Sequence, residues 1–203
     1  FFLISGYVIT MKLYEDYTLN NKKINFLKFW KKRIQRIYPV LIFSFSITFI
    51  FFLCFGQLHL LIGLFKEYIS SILGFSNLYF LYHKVDYFND LSSSPFLHAW
   101  SLAVEEQFYL LYPIILSFLL YLVSKKKIIQ TKFIIFLLII LSIFFSLVYE
   151  KSNPQVSFYF PFLRFWEIGL GCLLFFFNFK KLENLNLQNY LLSLAIVFLF
   201  LII

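Results

Sequence analysis

The chain has 203 residues, 61% of them hydrophobic, 24% aromatic and only 14% charged, with a formal net charge of +8. Soluble domains carry roughly 25% charged residues, so a soluble globular fold is excluded; nucleic-acid binding is excluded too, because the positive charge gathers in short stretches between apolar runs, the topology signal of membrane proteins. Those runs are continuous rather than alternating and approach the roughly 20 residues that cross about 30 Å of hydrocarbon, which leaves helices in preference to a closed barrel and predicts an all-α, polytopic transmembrane helix bundle.

Residues 1–11 read as the end of a span. Their sequence, Phe1-Phe2-Leu3-Ile4-Ser5-Gly6-Tyr7-Val8-Ile9-Thr10, has no basic n-region and no cleavage site, and the last apolar run, 190–203, stops short of a full span. The chain is therefore expected to be part of a single membrane domain, 1–203, truncated at both ends. Residues 12–36 form a polar segment with eight basic residues (Lys12, Lys22, Lys23, Lys28, Lys31, Lys32, Arg33 and Arg36) against Glu15 and Asp16, which places it in the cytoplasm. A span over 37–55 then leads outward.

The stretch 58–82 is polar for a lipid-facing helix, with Lys66, Glu67, Asn77 and several Ser and Gly. The following span, 102–123, ends at Lys125-Lys126-Lys127 and Lys132. A full crossing by 58–82 would put that basic cluster outside. A re-entrant or interfacial segment instead keeps 12–36, 125–132 and Lys180-Lys181 on one side, leaving the sparse charges of 84–90 and 150–151 on the other; this is the favoured topology. The remaining spans are 133–149, 158–177 and the incomplete last run. Cys54 and Cys172 sit far apart in apolar runs, without metal-ligand or redox spacing, so no metal is expected.

Three constellations could carry chemistry. Ser94-Pro95 reads as an N-cap followed by Pro at the first helical position, and on that helix His98, Ser101, Glu105, Tyr109 and Tyr112 share one stripe while Glu106 points about 100° away. Carboxylates in apolar helices usually line a pathway or site, and a His and a Glu on one face suit general acid/base work; a solvated helix end is the alternative. Pro113 removes the backbone bond to the Tyr109 carbonyl and should kink the helix. Arg33 and Arg36, three residues apart, share a helix face, and paired guanidinium groups suit a phosphate-bearing cytosolic ligand, although membrane anchoring also explains basic residues there. Finally, Arg164 and Glu167 have the spacing to neutralise each other, Gly169 and Gly171 allow close helix approach, and Ser5-Gly6-Tyr7 marks a tight helix contact or a site edge.

At these residues the chain resembles the acyltransferase-3 family of integral-membrane O-acyltransferases, in the blocks FFLISGYVIT (1–10), KKRIQRIYP (31–39), SNLYF (76–80), HAWSLAVEEQFYLLYP (98–113) and RFWEIGLGCLL (164–174). The resemblance implies transfer of an acyl group, usually acetyl, from cytosolic acyl-CoA to a hydroxyl of a cell-envelope glycan such as lipopolysaccharide O-antigen or peptidoglycan, in the bacterial inner membrane. It matches Arg33 and Arg36 to the family's functional arginine pair, which would hold the CoA phosphates at the inner face. Glu105 matches the glutamate of its Ser-Leu-x-x-Glu motif and would line the acceptor route near the outer edge of the hydrocarbon, with His98 and Ser101 beside it. The Arg and His of the family's first transmembrane helix lie upstream of FFLISGYVIT, so the residue to which its catalytic base is ascribed is not in this sequence, and His98 belongs to a different motif. A transporter of an acidic or lipid-linked solute is the alternative function and a non-catalytic membrane scaffold a third; paired broken helices in corresponding halves would mark the transporter.

Overall fold

The computed structural model describes residues 1–20, 23–55, 61–87, 94–122 and 128–176. The expectations for Lys22, Lys125-Lys126-Lys127, Lys180-Lys181 and the run 190–203 lie outside the described residues. The described regular structure is helical: α1 (Phe2–Leu19), α2 (Phe26–Phe55), α3 (Leu61–Ile72), α4 (Ser76–Tyr82), α5 (Ala99–Leu122), α6 (Ile128–Ser152), α7 (Pro154–Tyr159) and α8 (Phe165–Phe176). Three stretches, Phe26–Phe55, Ala99–Tyr121 and Gln130–Ser152, are long and apolar enough to cross a membrane. The protein is an integral membrane helix bundle.

The polar segment 12–36 is not a loop between spans. α1 runs on to Leu19 and α2 already begins at Phe26, because Lys, Glu and Leu are good helix formers and Lys12 pairs with Glu15 one turn later at 2.9 Å. Asp16 ties the end of α1 to the start of α2, accepting from the Asn20 side chain at 2.7 Å and from the Asn25 backbone N–H at 2.8 Å. Asn25 in turn caps α2 by accepting the Lys28 N–H at 3.0 Å.

The re-entrant or interfacial stretch folds as two helices, and one expected span is broken. The stretch 58–82 divides into α3 and α4 at Gly74, whose φ of 71° lies in the left-handed region that glycine tolerates. The predicted span 158–177 divides into α7 and α8, because Phe160 precedes Pro161 and adopts the extended conformation that a following proline imposes (φ −76°, ψ 124°). The start of α5 also differs: residues 95–98 form a turn, and the helix begins at Ala99 rather than at Pro95. The Ser94 hydroxyl donates to the Glu67 carboxylate and accepts the Phe96 N–H at 3.1 Å, so the chain arrives fastened to α3 and turns tightly before the helix opens.

The core lies between α1, α5, α6 and α8, around Ile9, Leu13, Val104, Leu116, Ile135, Ile168 and Cys172. α1 and α8 touch backbone to backbone: a Cβ on Gly6 would strike the Ile168 carbonyl, and one on Gly171 the Leu3 carbonyl. α1 runs parallel to α5, since Phe2 meets Trp100, Ser5 meets Glu105 and Thr10 meets Tyr112. α2 runs antiparallel to α5, with Trp30 at Tyr109, Tyr38 at Glu106 and Phe45 at Phe96. One end of the bundle therefore gathers the end of α1 and the start of α2.

Candidate active site

Pro113 sets the centre of the site. Having no N–H, it leaves the Tyr109 carbonyl without its helical partner, and the Trp30 indole N–H of α2 donates to that carbonyl at 3.1 Å. One turn further along α2, the Arg33 guanidinium lies 4.9 Å from the centre of the Tyr109 ring and 5.7 Å from that of Phe29, a cation–π arrangement. The Tyr109 hydroxyl donates to Ser5 Oγ at 3.3 Å, and the Ser5 hydroxyl donates to Glu105 Oε1. Glu105 is only 2% exposed. Three helices thus contribute Ser5, Arg33, Glu105 and Tyr109 to one polar cluster.

The cluster corrects the expected separation of Arg33 and Glu105 to opposite membrane faces. α2 is helical from Phe26 and antiparallel to α5, so Arg33 lies two turns inside a continuous helix, stacked on a tyrosine one turn from Glu105.

Arg33 also borders two pockets. One, of about 450 Å³, is walled by Lys12, Lys28, Lys32, Arg33 and Arg36 against Glu15 and Asp16. Among the described residues, Lys12 alone of its cations has an ion pair, with Glu15. The other, of about 290 Å³, is largely apolar and lies between α2, the turn at Gly74 and α5, and both Arg33 and Glu106 line it. Arg36 lies on the first pocket only, one helical turn beyond Arg33.

Glu106 carries less weight in the sequence than Glu105, yet it is the carboxylate that lines the apolar pocket. Tyr38 donates to its Oε2 at 3.4 Å, while its buried Oε1 has no hydrogen-bond partner among the described residues. Gly74 makes room for it, because a Cβ there would stand 2.5 Å from Glu106 Oε2. Gln107 anchors the same turn, donating to the Gly74 carbonyl and to Asn77 Oδ1, both at 2.8 Å. Asn77, fully buried, passes the chain on to the Tyr159 carbonyl at 3.1 Å. The one signal for this network in the sequence is the polar character of 58–82.

His98 and Ser101 are not brought to Glu105 by their hydrogen bonds. His98 is exposed and its Nδ1 lies 3.0 Å from the Tyr87 hydroxyl, and Ser101 donates to the His98 carbonyl at 3.3 Å. His98 precedes the helix, so the helical stripe that joined it to Glu105 does not extend that far. The Arg164–Glu167 pair forms as its spacing suggests, at 2.6 Å. No group of three or more His, Cys, Asp and Glu residues converges among the described residues.

An acyltransferase-domain family model, that of the acyltransferase-3 family, matches residues 1–203. The chain belongs to this family. It is 38% identical over 176 residues to the O-acetyltransferase OatA of Staphylococcus aureus, a match that covers 87% of this chain and 29% of that protein. It is 30% identical over 186 residues to the peptidoglycan O-acetyltransferase OatA of Listeria monocytogenes, covering 90% of this chain and 29% of the relative. The chain therefore spans about 29% of the length of these curated relatives. No solved structure matches it significantly.

Proposed function

We propose that the protein carrying this chain is an acetyltransferase of the bacterial inner membrane that moves an acetyl group from acetyl-CoA to a hydroxyl of peptidoglycan. The observation that carries the reading is the position of Arg33 between a basic pocket and an apolar one. CoA has matching parts, a polyanionic nucleotide and an uncharged thioester arm. Lys28, Lys32, Arg33 and Arg36 bind the phosphates in the 450 Å³ pocket, guanidinium groups doing so bidentately. The thioester arm passes Arg33 into the 290 Å³ pocket towards Glu106.

In the reaction the acceptor hydroxyl oxygen attacks the thioester carbonyl carbon, the C–S bond breaks, and CoA leaves as the thiolate that recovers a proton. The proton of the hydroxyl passes to a general base, which the family resemblance ascribes to a histidine on a helix preceding FFLISGYVIT. Glu105 acts through its neighbours: it holds Ser5, Ser5 holds the Tyr109 hydroxyl, and the Tyr109 ring carries Arg33. His98 and Ser101, bonded elsewhere, take no part in this step. The peptidoglycan acceptor is supported by the name of the Listeria relative.

The reading is tested with the full-length gene product in isolated membranes, by transfer of label from acetyl-CoA to peptidoglycan. Hydrogen bonds to charged groups contribute about 1.5–3 kcal/mol, so Arg33→Ala should lower kcat/KM for acetyl-CoA by at least about tenfold, and Glu105→Gln should lower it as well. Transfer that survives both substitutions unchanged would overturn the assignment.

A further inference from the structure

Two amide side chains join the places where short helices meet. Gln107, on α5, donates from Nε2 to the Gly74 carbonyl and to Asn77 Oδ1, both at 2.8 Å. Asn77, on α4, donates from Nδ2 to the Tyr159 carbonyl at 3.1 Å and, across 3.4 Å, to Gln107 Oε1. Gly74 is the junction of α3 and α4, and Tyr159 ends α7 just before the junction with α8 at Phe160-Pro161. A carbonyl only accepts, so the one at each end of this chain fixes which way its amide faces, and the two amides complete each other between them. Both Nε2 hydrogens of Gln107 are thereby engaged inside the protein. Gln107 lines the 290 Å³ pocket but has no N–H left for a ligand, and its influence there runs through the turn.

That turn is a wall of the pocket, which Leu73, Gly74 and Phe75 line together with Glu106. A φ of 71° at Gly74 gives the turn its shape, and the missing side chain lets it close on Glu106, whose Oε2 would stand 2.5 Å from a Cβ. α3 holds the turn from one side, with the Phe75 N–H donating to the Ser70 carbonyl at 2.8 Å. Gln107 holds it from the other, against the helix that carries Glu106. The basic pocket contains no residue of this turn: among the described residues the two pockets share Arg33 alone.

We propose that Gln107 and Asn77 are positioning residues for the donor, holding the Gly74 turn as the wall against which the uncharged thioester arm packs, and so setting affinity for the arm without touching affinity for the nucleotide. The inference rests on the acetyltransferase reading for the identity of the arm. It is tested by equilibrium binding of acetyl-CoA and of adenosine 3′,5′-bisphosphate, the nucleotide end of CoA, to the full-length protein in nanodiscs. Gln107→Met keeps the length of the side chain and leaves the Gly74 carbonyl and the Asn77 amide without it as a partner, so the Kd for acetyl-CoA is expected to rise about tenfold. The Kd for the bisphosphate should stay the same. Asn77→Ala leaves the bond from Gln107 to Gly74 in place and should weaken acetyl-CoA less, by about threefold. Gln107→Glu keeps an oxygen for Asn77 but loses the N–H for Gly74; it should act as Gln107→Met does, and it stands in if the methionine variant does not fold. Acetyl-CoA affinity unmoved in the Gln107 variants, or lost in step with that for the bisphosphate, overturns the proposal. Selective loss of acetyl-CoA affinity in a protein that transfers no acetyl group supports the role of the turn and removes the acetyltransferase reading. Acetyl transfer with a donor KM unmoved by Gln107→Met does the reverse, and a native protein that binds neither compound overturns both.

Discussion

Where α1 crosses α8, side chains are missing: Gly6 and Gly171 each lie against the backbone of the other helix. Where α2 crosses α5, the helices are joined by long side chains reaching across, Trp30 to the Tyr109 carbonyl, Arg33 to the Tyr109 ring and Tyr38 to Glu106. α2 has Leu41 as its buried residue, whereas α8 buries Ile168, Gly169, Gly171, Cys172, Leu173 and Phe176 along 12 residues. In lipid there is no hydrophobic drive between helices, so close backbone packing of small residues holds them together. The α1–α8 seam supplies that adhesion, and the α2–α5 seam carries the proposed site. Damage to the first should unfold the bundle, and damage to the second should leave a folded protein that binds its donor badly.

Gly6→Ala is the sharpest way to break the first seam. The new Cβ meets the Ile168 carbonyl, a backbone atom that cannot swing aside, and overpacking of this kind costs typically 1–3 kcal/mol and sometimes more. We expect a loss of about 3 kcal/mol, read as a lower unfolding midpoint in detergent micelles, with every activity falling in proportion to the folded fraction. An unchanged midpoint would mean that α1 and α8 do not touch here.

Arg33→Lys should separate the two seams. Lysine retains the charge but not the planar group that lies over Tyr109, and arginine and lysine are not interchangeable at stacked sites. Donor affinity is expected to fall about tenfold, because lysine cannot pair a phosphate bidentately as a guanidinium does. The unfolding midpoint should stay put, because α2 is held at several other points. A large drop in that midpoint would show that α2 belongs to the adhesive part of the bundle.

The division of labour is only partly legible in the sequence. Fold class and the three long spans follow from continuous apolar runs, which no other architecture accommodates in a membrane. The break at Phe160-Pro161 carries a local signal, yet it lies inside a run apolar enough to read as one element. The helical course of Lys12–Leu19 and of Phe26–Arg36 is hidden when charge is equated with loop, although those residue types favour helix. In the site, the orphaned Tyr109 carbonyl can be deduced from Pro113 alone, but its donor, Trp30, lies 79 residues away and no periodicity points to it. Glu106 is easily discounted for its angle relative to Glu105, since a helical wheel gives directions but not which neighbour waits in each. Here α1 takes Glu105, and α2 with the Gly74 turn takes Glu106.

The smallest expected effect tests how loosely the second seam is held. Tyr38 donates to Glu106 Oε2 across 3.4 Å, the long end of the hydrogen-bond range, so Tyr38→Phe should cost no more than about 1 kcal/mol of stability. The loss has two sources: the bond itself, and the carboxylate left with neither oxygen partnered by a described residue. Glu106→Gln removes the charge while leaving an oxygen that can still accept from Tyr38. In a double-mutant cycle, Tyr38→Phe should therefore cost less on the Glu106→Gln background than on the native one, by about 0.5 kcal/mol or more. Equal costs on both backgrounds would mean that Tyr38 senses no carboxylate, and the polar link from α2 to α5 beside the apolar pocket would then rest on Arg33 and Trp30.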